Sequence, residues 1–172
     1  MTGKYSPETL LPPLRHFIAA RNESIAAGFT DNGGAIHSVE RILDTLARRV
    51  KYPYLGHINS FKKHPGAERS VGAHEAIQRG ENVFIEHVLP QRAFALTVIE
   101  RVTAGATDED LLRYISENYR LVLLDAQETK ALNRKNRSRI EVDRLTSAGI
   151  VIYESNTKDV PLLLQPTALL TN

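Results

Sequence analysis

The residues best suited to chemistry lie in one short run, Phe84-Ile85-Glu86-His87-Val88-Leu89-Pro90-Gln91. A carboxylate and an imidazole stand side by side, and a proline follows three residues after the histidine. Histidine has an unperturbed pKa of about 6.5, so a neutral imidazole can take a proton from water at physiological pH. The plainer alternative is a strand-end histidine with a structural partner, beside a surface carboxylate. A second run carries charge. From Lys130 to Arg139 there are five cations, Lys130, Arg134, Lys135, Arg137 and Arg139, and no acid. Such a block suits phosphate groups, or else forms a solvated helix face.

The two runs fall in a definite order. Glu86-His87 closes a strand, a second strand follows at Leu121–Leu124, and then comes a helix with Leu132-Asn133 and Asn136. This order resembles the HNH endonucleases, the ββα-metal or His-Me finger family. It is most similar to the HNH domains of modification-dependent restriction enzymes. The stretches that carry the resemblance are EHVLPQ at 86–91 and LVLL…ALNRKNRSR at 121–139. The resemblance implies that His87 is the general base. It places Glu86 and an asparagine, Asn133 or Asn136, near a Mg2+ or Mn2+ ion, with Glu128 a competitor for that role. It gives Lys130, Arg134, Lys135, Arg137 and Arg139 the phosphates of nucleic acid, with DNA favoured. A phosphodiester repels nucleophiles through its own charge. Its hydrolysis needs a deprotonated water, in-line positioning and a stabilised leaving oxygen. The chain departs from the family pattern: Asn133 lies about one helical turn later than the usual ligand position, and there is no cysteine for a structural zinc. Two helices are also expected between the strands, Asn118 stands where Gly-Asn is usual but offset, and the last histidine is replaced by asparagine. Two other readings use the same residues. One is a non-catalytic nucleic-acid- or protein-binding module with a degenerate finger. The other is a metal-independent small ribonuclease or toxin.

The elements that must hold these residues are legible from periodicity. Leu14, Phe17, Ile18 and Ile25 keep helical spacing, with Pro12-Pro13 suited to the helix entry. Ser38 is a candidate N-cap for a second helix carrying Val39, Ile42, Leu43, Leu46 and Val50, stopped by Tyr52-Pro53. From Tyr52 to Gly80 the periodicity fades into a long connection with a short helix near 73–79. Tyr52, Tyr54 and Phe61 read as satellite-core aromatics, although Lys62-Lys63 beside them keeps a nucleic-acid contact open. His57, His64 and His74 have no ligand-like spacing. A strand is expected over 82–89, then a helix with Phe94, Val98 or Ile99, and Val102 inward. Thr107 with Asp110, and Asp125 with Glu128, have the capping-box pattern and open two more helices. Between those helices lies a second strand, 120–124. A short helix near 142–148 and a strand at 150–153 precede a tail containing Pro161 and Pro166.

Composition sets the frame. With 172 residues, 42% hydrophobic and 24% charged, the chain can build a core, which excludes a mainly disordered protein. The expected fold class is α+β in a single domain: a helical, loop-rich region over 1–80, an HNH-like finger over 82–140, and a C-terminal strand and tail over 141–172. A net charge of +2 says little about partners. No apolar run approaches the ~18 residues of a membrane span, and no signal peptide is expected. The absence of cysteine excludes disulfides and thiolate zinc sites, and a reducing cytoplasmic setting is the default expectation. Gly-x-Gly-x-x-Gly, Walker, Gly-x-Ser-x-Gly and His-Glu-x-x-His signatures are all missing, which removes the motif-based case for nucleotide-cofactor enzymes, serine hydrolases and zinc proteases.

Overall fold

The fold was analysed in a computed structural model, which describes residues 6–31, 34–135 and 144–154. Two long helices come first, α1 (Pro7–Ala26) and α2 (Gly34–Lys51). Both differ at their starts from the sequence expectation. Pro7 takes the helix entry, so Pro12 and Pro13 lie inside α1. An interior proline costs about 3 kcal/mol through a lost hydrogen bond and a clash. Burial of Leu10, Leu11, Leu14 and Ile18 along one continuous helix offsets that cost. Ser38 is not an N-cap: α2 begins at Gly34, and the Ser38 hydroxyl donates to the Gly34 carbonyl at 3.1 Å. Ile36, fully buried, extends the apolar stripe by a turn.

A 3-10 turn (Ile58–Lys63) and a short helix, α3 (Val71–Gln78), lie in the long connection. Strand β1 (Phe84–His87) is followed by α4 (Gln91–Thr103) and α5 (Asp108–Asn118). Strand β2 (Leu121–Leu124), α6 (Ala126–Lys135) and α7 (Arg144–Ser147) complete the described chain. The strands pair antiparallel, Phe84 opposite Leu124 and His87 opposite Leu121. Isolated bridges join Arg69 to Leu123 and Ser70 to Ile152, so the expected strand at 150–153 contributes one bridging residue. The architecture is α+β, mostly helical, with one small sheet.

The sheet separates two cores. Residues opposite one another in an antiparallel pair point to the same face. Ile85, His87, Leu121 and Leu123 therefore face one way, and Phe84, Glu86, Val122 and Leu124 face the other. Leu121 and Leu123 join the main core, with Leu14, Val39, Leu43, Phe94, Val98 and Ile115. Val122 and Leu124 join a smaller core with Leu132 of α6, Leu145 of α7 and Ile150.

Two helix starts meet beside this sheet. Ser70 caps α3 by accepting from the Ala73 amide at 2.9 Å, and its hydroxyl donates to the Glu128 carboxylate. Glu128 also accepts from the Asp125 amide at 3.0 Å, while Asp125 Oδ1 accepts from Gln127 and Glu128 amides at 2.7 Å each. The expected capping box at Asp125 thus forms, and it is shared with α3. Gly72 makes room for it: a Cβ there would stand 2.6 Å from Asp125 Oδ2 and 2.8 Å from Glu128 Oε1. The other oxygen of each carboxylate is held in a cap, which restrains both groups. Gly72→Ala should therefore destabilise the protein by about 1–2 kcal/mol in urea unfolding, despite the roughly 1 kcal/mol that alanine gains in a helix interior. An unchanged or raised midpoint would show that the carboxylates are free to move.

Candidate functional site

His87 ends β1 with its ring on the main-core side. Its Nε2 lies 3.1 Å from Asp44 Oδ1, and the Tyr119 hydroxyl donates to the same oxygen at 2.7 Å. Arg48 Nε, one turn on in α2, donates to Asp44 Oδ2 at 3.1 Å. The Gln91 amide nitrogen is 3.3 Å from His87 Nε2. Three separate elements thus supply the cluster: α2 gives Asp44 and Arg48, β1 gives His87, and the residue after α5 gives Tyr119. Tyr119 is buried, and the side chains of Asp44 and His87 are 19% and 18% exposed.

The electrostatics follow from this packing. Burial pushes the Asp44 carboxyl up, but hydrogen bonds from His87 and Tyr119 and the charge of Arg48 outweigh it, bringing Asp44 down to about 2. Burial, with the adjacent Asp44 charge, raises the Tyr119 phenol, so it stays protonated and remains a donor. Because Asp44 is ionised and accepts, His87 Nε2 carries a hydrogen, and neutral His87 keeps its lone pair on Nδ1. Beside the ring, Glu40, Gln91, Asn118 and Arg120 help to line a cavity of about 10 Å³, room for about one water molecule.

Glu86 faces the other way. Burial raises its pKa, opposed by the charges of Arg144 and His87. Arg144, itself buried, donates to the carbonyl of His87 at 2.7 Å and to that of Val88 at 3.4 Å. Phe84, in the same strand, is 42% exposed. The sheet therefore does not bring Glu86 and His87 to one side, because neighbouring residues of a strand alternate. Glu128, the competing oxygen ligand, is occupied in the caps of α3 and α6. Asn133 is exposed on α6. Asn136, Arg137 and Arg139 lie outside the described residues, as does the Lys135 side chain. Among the described residues, no three His, Asp or Glu side chains are grouped so that they could hold a metal ion. The resemblance gives the ion to Glu86 with Asn133 or Asn136 and the base role to His87; the sheet divides Glu86 from His87, and the charge of Arg144 acts on the Glu86 carboxylate.

Lys130 and Arg134 are exposed on α6. With Asn133 they occupy spacings i, i+3 and i+4, one outward face opposite buried Leu132. Sequence reasoning missed Asp44 and Tyr119. The available signal was weak: an acid between buried Leu43 and Ala47, with Arg48 four residues on. No described helix is long and apolar enough to cross a membrane. No family model, no curated protein and no solved structure matches the chain.

The depressed Asp44 pKa makes a stability prediction. Asp44 has its ordinary pKa of 3.8 in the unfolded chain and about 2 when folded. It therefore adds stability above pH 3.8, about 2 kcal/mol, which is lost as pH falls toward 2. The gap in unfolding free energy between wild type and Asp44→Asn should shrink as pH falls from 4 to 2. A gap independent of pH would show that the Asp44 charge is not stabilised by folding.

Proposed function

We propose that the protein is a nucleic-acid-binding module built on a ββα finger, with DNA as the first partner to test. In this reading the outward face of α6 meets phosphates, and the strand histidine serves the fold. The observation that carries it is the division of the sheet. His87 is turned to Asp44 and Tyr119 in the helical core, away from Glu86, so the motif residues do not share a cleft. The finger's helix nonetheless presents Lys130 and Arg134 to solvent, and the sequence continues with Lys135, Arg137 and Arg139 without an acid. Cations spaced along a helix neutralise phosphates whatever the base sequence.

A second reading is hydrolysis of phosphodiester bonds with His87 as general base. One observation favours it: a carboxylate orients the ring, and a cavity for about one water adjoins it. A single pair of assays separates the two. In anisotropy titrations of a labelled duplex, neutralising Lys130, Arg134, Lys135, Arg137 and Arg139 to glutamine should weaken binding. It should also flatten the salt dependence by about 0.9 per lost phosphate contact. An unchanged slope would make α6 a solvated face and remove the first reading. In plasmid and single-strand cleavage assays with Mg2+, Mn2+ or chelator, the first reading expects no cutting. Cutting that His87→Ala lowers by on the order of 10²–10⁴ would establish the second.

A further inference from the structure

Phe84 is placed where a strand phenylalanine is seldom left. It is the most exposed residue of β1, at 42%, although its partner across the sheet, Leu124, is fully buried. The residue is thus largely open to solvent on the sheet face that it shares with Leu124. The Lys62 ammonium stands over that ring, 5.7 Å from its centroid. Lys62 and Lys63 are both exposed and close the 3-10 turn. The stretch from Gly56 to Ala67 contains no acid, and neither lysine joins a salt bridge among the described residues. Tyr54 is also exposed, but its ring is stacked on His64 at 4.2 Å and already has a partner. Tyr52 and Phe61 instead pack within the main core.

We infer that Phe84 is a stacking platform for an unpaired base, and that Lys62 and Lys63 neutralise the phosphates beside it. The inference rests on the nucleic-acid reading above and narrows it to single-stranded segments. A solvent-facing aromatic ring offers a π-face to a base once the exposed, flexible Lys62 side chain over it swings aside, and that cation then matches the charge that accompanies every base. Duplex DNA hides its base faces in the stack, so only unpaired bases meet this platform. Phe84 also lies on the sheet face against which α6 packs, the side that carries the helix cations.

The test is an anisotropy titration with a labelled twelve-nucleotide oligothymidine and with an abasic strand of the same length. Base–aromatic stacking predicts that Phe84→Ala binds oligothymidine roughly five- to 150-fold more weakly than wild type. Phe84→Tyr should bind like wild type, because the aromatic face is kept. Wild type should bind the abasic strand as weakly as Phe84→Ala binds oligothymidine. Lys62→Gln with Lys63→Gln should weaken both strands alike. If Phe84→Ala fails to fold, Phe84→Tyr and the abasic strand still decide the question on folded protein. Equal affinity of wild type for the two strands overturns the platform. With binding that still depends on the α6 cations, that result leaves the broader reading in place. No binding of either strand or of duplex by wild type overturns both.

Discussion

The Asp44 carboxylate is the point on which the rest of the structure depends. An ionised acid this far from solvent is costly unless its oxygens are satisfied. Here they accept from His87, Tyr119 and Arg48, three donors from three parts of the chain. The cluster therefore does more than neutralise a charge. It ties α2 to the end of β1 and to the start of β2, across 43 and 75 residues of sequence. It also settles which way β1 faces. Once His87 points at α2, strand alternation sends Glu86 to the opposite side, and a one-residue slip would invert both cores.

Two strands of four residues would not be stable alone in water. They persist because both faces and one edge are used. Leu121 and Leu123 anchor the sheet to the long helices, and Val122 and Leu124 hold α6 and α7. Arg144 donates to the His87 carbonyl, so a polar group at the strand's end is satisfied by a buried side chain. On the far side of β2, the shared caps of α3 and α6 fix where the cationic helix begins. The cationic face of α6 used in the proposed function thus stands on the sheet and on these shared caps.

Much of this was legible from sequence, for identifiable reasons. The β-branched and leucine runs at 84–87 and 121–124 marked the strands, and Asp125 with Glu128 marked the start of α6. Those signals are local. The proline pair at 12–13 misled because a long buried face outweighs one helix interruption. Ser38 misled because a hydroxyl can bond to a carbonyl one turn back within a helix as well as cap one. The site was harder to read. A four-residue strand shows only two residues to each face, too few for its pattern to tell which face His87 takes. Asp44 has no local mark of its role, since its partners lie far along the chain. Ser70, buried and shared between two caps, was invisible for the same reason.

The most direct measurement is a double-mutant cycle between Asp44→Ala and His87→Ala, followed by urea unfolding at neutral pH. Both single variants and the double variant should fold, because each change truncates a side chain at the edge of the core. A coupling energy of about 1–3 kcal/mol is expected for partners in one buried network. Such a value would establish that Asp44 holds His87 on the helical side of the sheet. Additive effects, with coupling below about 0.5 kcal/mol, would contradict this account, for they would mean that His87 is free to turn from Asp44.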